Sequence, residues 1–84
     1  MSIAQEFARA QKEVNELPTR PNNDMLLKLY AYYKQATEGD ASGERPEGFD
    51  FVRRAKFDAW SEIKGTPKDE AMKKYVALVA SLKN

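Results

Sequence analysis

The chain has 84 residues, neither cysteine nor histidine, and 14 basic against 13 acidic side chains, for a net charge of +1. These counts exclude disulfide staples, thiolate chemistry and imidazole bases or ligands, and with them catalytic triads and most zinc sites. No global field favours nucleic acid or an anionic membrane, no apolar run nears the roughly 18 residues of a membrane span, and "MSIAQEF" lacks a signal-peptide pattern. One small cytoplasmic domain over residues 1–84 is therefore expected, with a core that must hold alone.

The first helix is expected over about 3–16, because Ile3, Phe7, Ala10, Val14 and Leu17 recur at helical spacing. Ser2 and Gln5 form a capping-box pattern at its start, and Pro18 and Pro21 end it with an extended link. Asn22 or Asn23 can cap a second helix over about 22–38, which Gly39 stops. On a 100° wheel Met25, Leu26, Leu27, Leu29, Tyr30, Tyr32, Tyr33 and Ala36 fill an apolar arc of roughly 220°. A surface helix needs only about 100°. Lys34 falls inside that arc, between Tyr30 and Leu27.

Residues 39–50, "GDASGERPEGFD", hold three of the four glycines and make the longest loop, a length that usually signals function or mobility. A third helix follows over about 50–63, closed by Gly65. Its arc contains Phe49, Phe51, Val52, Ala55, Ala59, Trp60 and Ile63, with Lys56 near the middle. The fourth, over about 66–83, is expected to start with Thr66 as N-cap, Pro67 at the first helical position, and Asp69 and Glu70 in the first turn. Its apolar face carries Ala71, Met72, Tyr75, Val76, Val79 and Leu82. No segment alternates as a strand and no internal repeat is present. The fold class is all-α, a four-helix bundle.

Two lysines within apolar arcs are the anomaly. Each alone has an ordinary account, the stem lying along the surface with the ammonium in water. The tyrosines could be core residues, and "RRAK", Arg53 to Lys56, a solvated face. Together the lysines call for an anion or water, since burying an unpaired ammonium costs several kcal/mol. The second helix offers no carboxylate within its arc, Glu38 lying only at the edge. A phosphate would answer both lysines, the rings would stack a base, and the surplus apolar width would cover an acyl tail. No spacing suggests a nucleophile with its base, so neither enzyme activity nor a cofactor nor a metal is expected. The rival reading is an interaction module whose arcs receive a partner's amphipathic helix, which explains the aromatics but not the lysines.

The residues themselves resemble a family, the small acyl-CoA-binding proteins. The likeness runs through "LYAYYKQATEGD" (29–40), "ERP" (44–46), Asp50, "AKFDAW" (55–60), "KG" (64–65) and "EAMKKY" (70–75). It implies a helical bundle that reversibly binds one medium- to long-chain fatty acyl-CoA per monomer as an intracellular carrier. It also implies transient contact with acyl-CoA-using enzymes, no nucleic acid and no stable membrane insertion. The resemblance assigns Tyr33 and Lys34 to the nucleotide end, Lys56 with Lys34 to the ribose 3′-phosphate, and Tyr30 and Tyr75 to the same site. Met25 and Leu27 are the candidate acyl-chain contacts. Three positions depart from the family pattern: Glu47-Gly48 replaces the glycine usual after Arg-Pro, Phe57 stands where tryptophan is common, and Asn15 where several relatives have lysine.

Overall fold

A computed structural model describes residues 2–83 as four helices: α1 (Ile3–Val14), α2 (Asn23–Glu38), α3 (Phe51–Glu62) and α4 (Lys68–Leu82). Every end lies within two residues of its expected position. The start of α1 is a complete capping box, Gln5 N donating to Ser2 Oγ at 3.2 Å and Ser2 N to Gln5 Oε1 at 3.0 Å. Of the two asparagines it is Asn22 that caps α2, its Oδ1 accepting from Met25 N at 2.9 Å. Asp50 caps α3 through Arg53 N at 3.1 Å.

The start of α4 differs from the expectation. Pro67, with extended backbone (φ −60°, ψ 150°), is itself the N-cap residue and makes no side-chain cap bond, so Thr66 is not the cap. The carbonyl of Thr66 instead accepts from Gln35 Nε2 at 2.8 Å, which commits this turn to a tertiary contact. Asp69 and Glu70 do occupy the first turn, where the helix dipole favours them.

The close helix pairs are α1–α4, α4–α2 and α2–α3, giving a slab of 39 × 28 × 15 Å with α4 and α2 inside and α1 and α3 outside. Contacts fix the directions. Phe7 meets Tyr75 and Glu13 meets Lys83, so α1 and α4 run parallel. Tyr30 meets Lys56 and Lys34 meets Trp60, so α2 and α3 are also parallel. Parallel neighbours require a return along the helix. The sixteen residues of α2 rise roughly 24 Å, and the twelve-residue loop 39–50 can span up to roughly 40 Å. The long loop is therefore a crossover. The Arg45 guanidinium ties it to α3, with Nε to Asp58 Oδ1 and Nη2 to Asp58 Oδ2 both at 2.8 Å.

Phe7, Ala10, Leu29, Ala36, Ala71, Tyr75 and Val79 form the core where α1, α4 and α2 meet. No residue of α3 is fully buried. The width of the α2 arc follows from this layout: one flank packs on α4 and the other on α3. Helix packing thus accounts for much of the apolar width that the sequence alone assigned to a ligand.

One buried polar side chain joins the two flanks. Gln35, only 1% exposed, donates from Nε2 to Asp40 Oδ1 and Thr66 O, both at 2.8 Å, and accepts from Trp60 Nε1 at 3.1 Å. The same indole N–H also reaches Gly39 O at 2.8 Å, and Gly65 N donates to Asp40 Oδ1 at 2.8 Å. Gly39 (φ 85°) and Gly65 (φ 92°) lie in the left-handed region, so a side chain at either would strain the turns that deliver these groups.

Candidate functional site

The amino-terminal half of α2 carries Leu26, Leu27 and Tyr30 along a seam flanked by two clefts. The first, of about 600 Å³, lies between the α1–α2 connection, α2 and α4, and its walls include Leu29, Tyr30, Tyr33 and Tyr75. The second, of about 640 Å³, lies between α2 and α3, with Leu26, Leu27, Tyr30, Phe51, Val52 and Lys56 among its walls. Arg20, Leu26 and Tyr30 line both.

Along the α2–α3 seam stand two cation–ring contacts in the same register. Lys56 Nζ sits 5.1 Å from the Tyr30 ring centre, and Lys34 Nζ sits 5.2 Å from that of Trp60. Tyr30 and Lys34 are one turn apart on α2, as Lys56 and Trp60 are on α3. Parallel helices therefore stack the contacts as successive rungs, with the cation alternating between helices. Such rungs hold two ammonium groups at the protein surface without burying them.

Lys34 is not unpaired, contrary to the sequence reading. Its ammonium binds the Glu38 carboxylate one turn on, at the edge of the arc. That hydrogen bond raises its pKa above the usual lysine value, against a smaller opposing effect of burial. Tyr75 is buried at 5% exposure, edge-on to Phe7 with ring centres 5.1 Å apart. Burial pushes its phenol pKa up, with a lesser contribution from Tyr33, so it stays neutral as part of the cleft wall. Tyr33 is 38% exposed, its ring 6.1 Å from that of Phe7.

The structure gathers Tyr30, Tyr33 and Tyr75 at the first cleft and Leu27, Tyr30 and Lys56 at the second. Lys34 lines neither; it stands one turn beyond, on Trp60. Met25, half-buried, also lines neither, while Leu26 lines both. Sequence reasoning passed over Leu26, Phe51 and Val52 as site residues, although all three lie on the apolar arcs. Phe51 and Val52 are 66% and 64% exposed and, with Phe49 beside them, form a run of exposed apolar side chains at the start of α3. Arg20, in the α1–α2 connection, gave no periodic signal. Of the three departures, Asn15 lines the first cleft, Gly48 lies in the crossover at φ 79°, and Phe57 is half-buried on α3.

Among the described residues no three metal-ligating side chains converge, and no helix is long and apolar enough to cross a membrane. The arrangement offers apolar walls, ring faces and cations: Arg20 and Lys56 in the cleft walls and Lys34 one turn beyond. The fold is an all-α domain of four helices whose clefts are walled by apolar side chains and tyrosine rings.

A sequence model of the family described as "Acyl CoA binding protein" matches residues 4–79. The acyl-CoA-binding protein of Saccharomyces cerevisiae is 49% identical over 80 residues, covering 95% of this chain and 92% of that protein. The crystal structure of Oryza sativa acyl-CoA-binding protein 2 superposes with a TM-score of 0.91 at 37% identity, over 96% of this chain and 90% of that one. The rat enoyl-CoA delta isomerase 2 is 47% identical over 78 residues, but these amount to 20% of that longer protein. The chain belongs to the acyl-CoA-binding protein family.

Proposed function

We propose that the protein binds fatty acyl-CoA esters of medium to long chain, reversibly and one per monomer, and carries them inside the cell. The observation that carries this reading is the pair of ring-seated ammonium groups, Lys34 and Lys56, beside clefts walled by tyrosines and leucines. Lys34 and Lys56 hold the phosphates of the CoA head, and Tyr30, Tyr33 and Tyr75 receive its nucleotide. Leu26 and Leu27, with Phe51 and Val52, cover the acyl chain. Membership of a family described by acyl-CoA binding supports the ligand class.

Magnitudes require both ends of the ligand. A fully buried sixteen-carbon tail contributes roughly 12 kcal/mol at most, at about 0.8 kcal/mol per methylene. Association costs an estimated 4–15 kcal/mol, so the tail by itself gives weak binding or none. Charge-assisted phosphate contacts of about 1.5–3 kcal/mol each shift the balance. No bond is made or broken in this scheme: the thioester is held intact and released.

Calorimetric titration with hexadecanoyl-CoA below its micelle concentration, alongside free CoA and free hexadecanoate, tests the reading. Saturable one-to-one binding of the ester, far tighter than either half, is expected. Failure of the ester to bind overturns it.

A further inference from the structure

The ammonium of Lys34 already has a counterion. Glu38, one turn further along α2, holds it directly, and the same ammonium lies on the Trp60 ring. Any anionic ligand that reaches Lys34 must displace that carboxylate or accept it as a neighbour. We propose that Glu38 is an affinity-setting residue of the site, a built-in competitor that keeps Lys34 occupied when no ligand is bound and speeds release. The inference rests on the acyl-CoA reading and adds to it a residue that makes no favourable contact with the ligand.

Three observations carry it. First, Glu38 stands in the last turn of α2, where the helix dipole favours cations and where the helix has no basic residue. A carboxylate there opposes the helix dipole, and an i,i+4 pair with the lysine first is the weaker order, so helix formation accounts for little of it. Second, the pair is open to water: the Glu38 side chain is 54% exposed and that of Lys34 is 22% exposed. An exposed pair of this kind contributes little to folding and exchanges readily with another anion. Third, Lys34 does not need Glu38 to stay at the seam. Its stem runs along α2 and its ammonium rests on Trp60, whose indole N–H is fixed by Gln35 and Gly39. The ring seats the cation, while Glu38 only neutralises it.

The opposite role, in which Glu38 orients Lys34 for the ligand, predicts the opposite sign. Hexadecanoyl-CoA is titrated at low ionic strength into the wild-type protein, Glu38→Gln, Glu38→Lys, Lys34→Ala and the double variant Lys34→Ala/Glu38→Gln. Glu38→Gln is expected to tighten binding about threefold and to raise the lifetime of the complex, with Glu38→Lys tighter still. The gain is expected to shrink as salt is added, because an exposed carboxylate acts through screened charge. In the Lys34→Ala background the gain from Glu38→Gln is expected to be much smaller, since the competed ammonium is gone.

Unchanged or weaker binding by Glu38→Gln overturns the proposal, as does an undiminished gain without Lys34. These failures leave the acyl-CoA reading intact as long as the wild-type protein binds the ester. Absence of wild-type binding removes both.

Discussion

The two flanks of α2 are built differently. Toward α4 and α1 the contacts are apolar and close: Phe7, Leu29, Ala36, Ala71, Tyr75 and Val79 pack into one cluster. Toward α3 no side chain of the partner helix is fully buried, and the contacts are two cation–ring rungs, the Gln35 cluster and an open cleft. One flank holds the fold by burial, although the first cleft also opens on this side, with Leu29, Tyr33 and Tyr75 in its walls. The other keeps apolar and charged groups near water, where a ligand can reach them. A single helix serves both because its apolar arc is wide enough to have two faces.

The largest expected effect lies on the packed flank. Phe7→Ala should cost about 3–5 kcal/mol of stability, read as a lower midpoint in urea denaturation. A cost below about 1 kcal/mol would mean that the α1–α4 packing is not what holds the molecule together. On the open flank, Lys34→Ala or Lys56→Ala should weaken hexadecanoyl-CoA binding by roughly 10- to 100-fold while changing the urea midpoint little. If either variant binds the ester as the wild type does, that lysine is not a ligand residue.

Gln35→Leu joins the flanks and should affect both, lowering stability by about 1–3 kcal/mol through the polar groups it leaves without a partner. Trp60 retains Gly39 O and Asp40 retains Gly65 N, so the helices should still form. Ligand affinity should also fall, because the ring beneath Lys34 loses one of its two anchors. A loss of stability with affinity untouched would separate the cluster from the site.

The smallest effect is acid sensitivity. The Gly65 N–H, and after it the Gln35 amide, hold the Asp40 pKa below its ordinary value of 3.8. A folded pKa lower than the unfolded one contributes stability that is present above pH 3.8 and lost as pH falls through the lowered value. Trp60, the only tryptophan, belongs to the same cluster, so its fluorescence should report this loosening. Asp40→Asn should reduce the change in that window; an identical acid profile would place its origin elsewhere.

Part of the arrangement around the clefts is legible in the chain. Tyr30, Tyr33 and Tyr75 do meet at one cleft, and Lys56 does stand within an apolar seam. Met25, expected with Leu27 at the acyl chain, lines neither cleft, whereas Leu26 lines both. Which of two adjacent arc residues faces a cleft depends on where the neighbouring helices cross. The partner of Lys34 was missed for a related reason. Glu38 lies at the rim of the arc, but a long lysine side chain spans one helical turn and reaches it.

What the sequence determined by itself was local. The Ser2–Gln5 box, a cap at Asn22 or Asn23 and the turns at Gly39 and Gly65 follow from backbone groups that must be satisfied within a turn or so of the residue concerned. Apolar periodicity then marked the buried faces, since that repeat belongs to each helix alone. Tertiary structure decided the rest. It made α2 and α3 parallel, turned the long loop into a crossover, set the N-cap of α4 at Pro67, joined the Thr66 carbonyl to Gln35, and aligned the two lysines with rings on the opposite helix. These outcomes depend on the register between helices, which is set by many side chains packing at once, and no single helix encodes it.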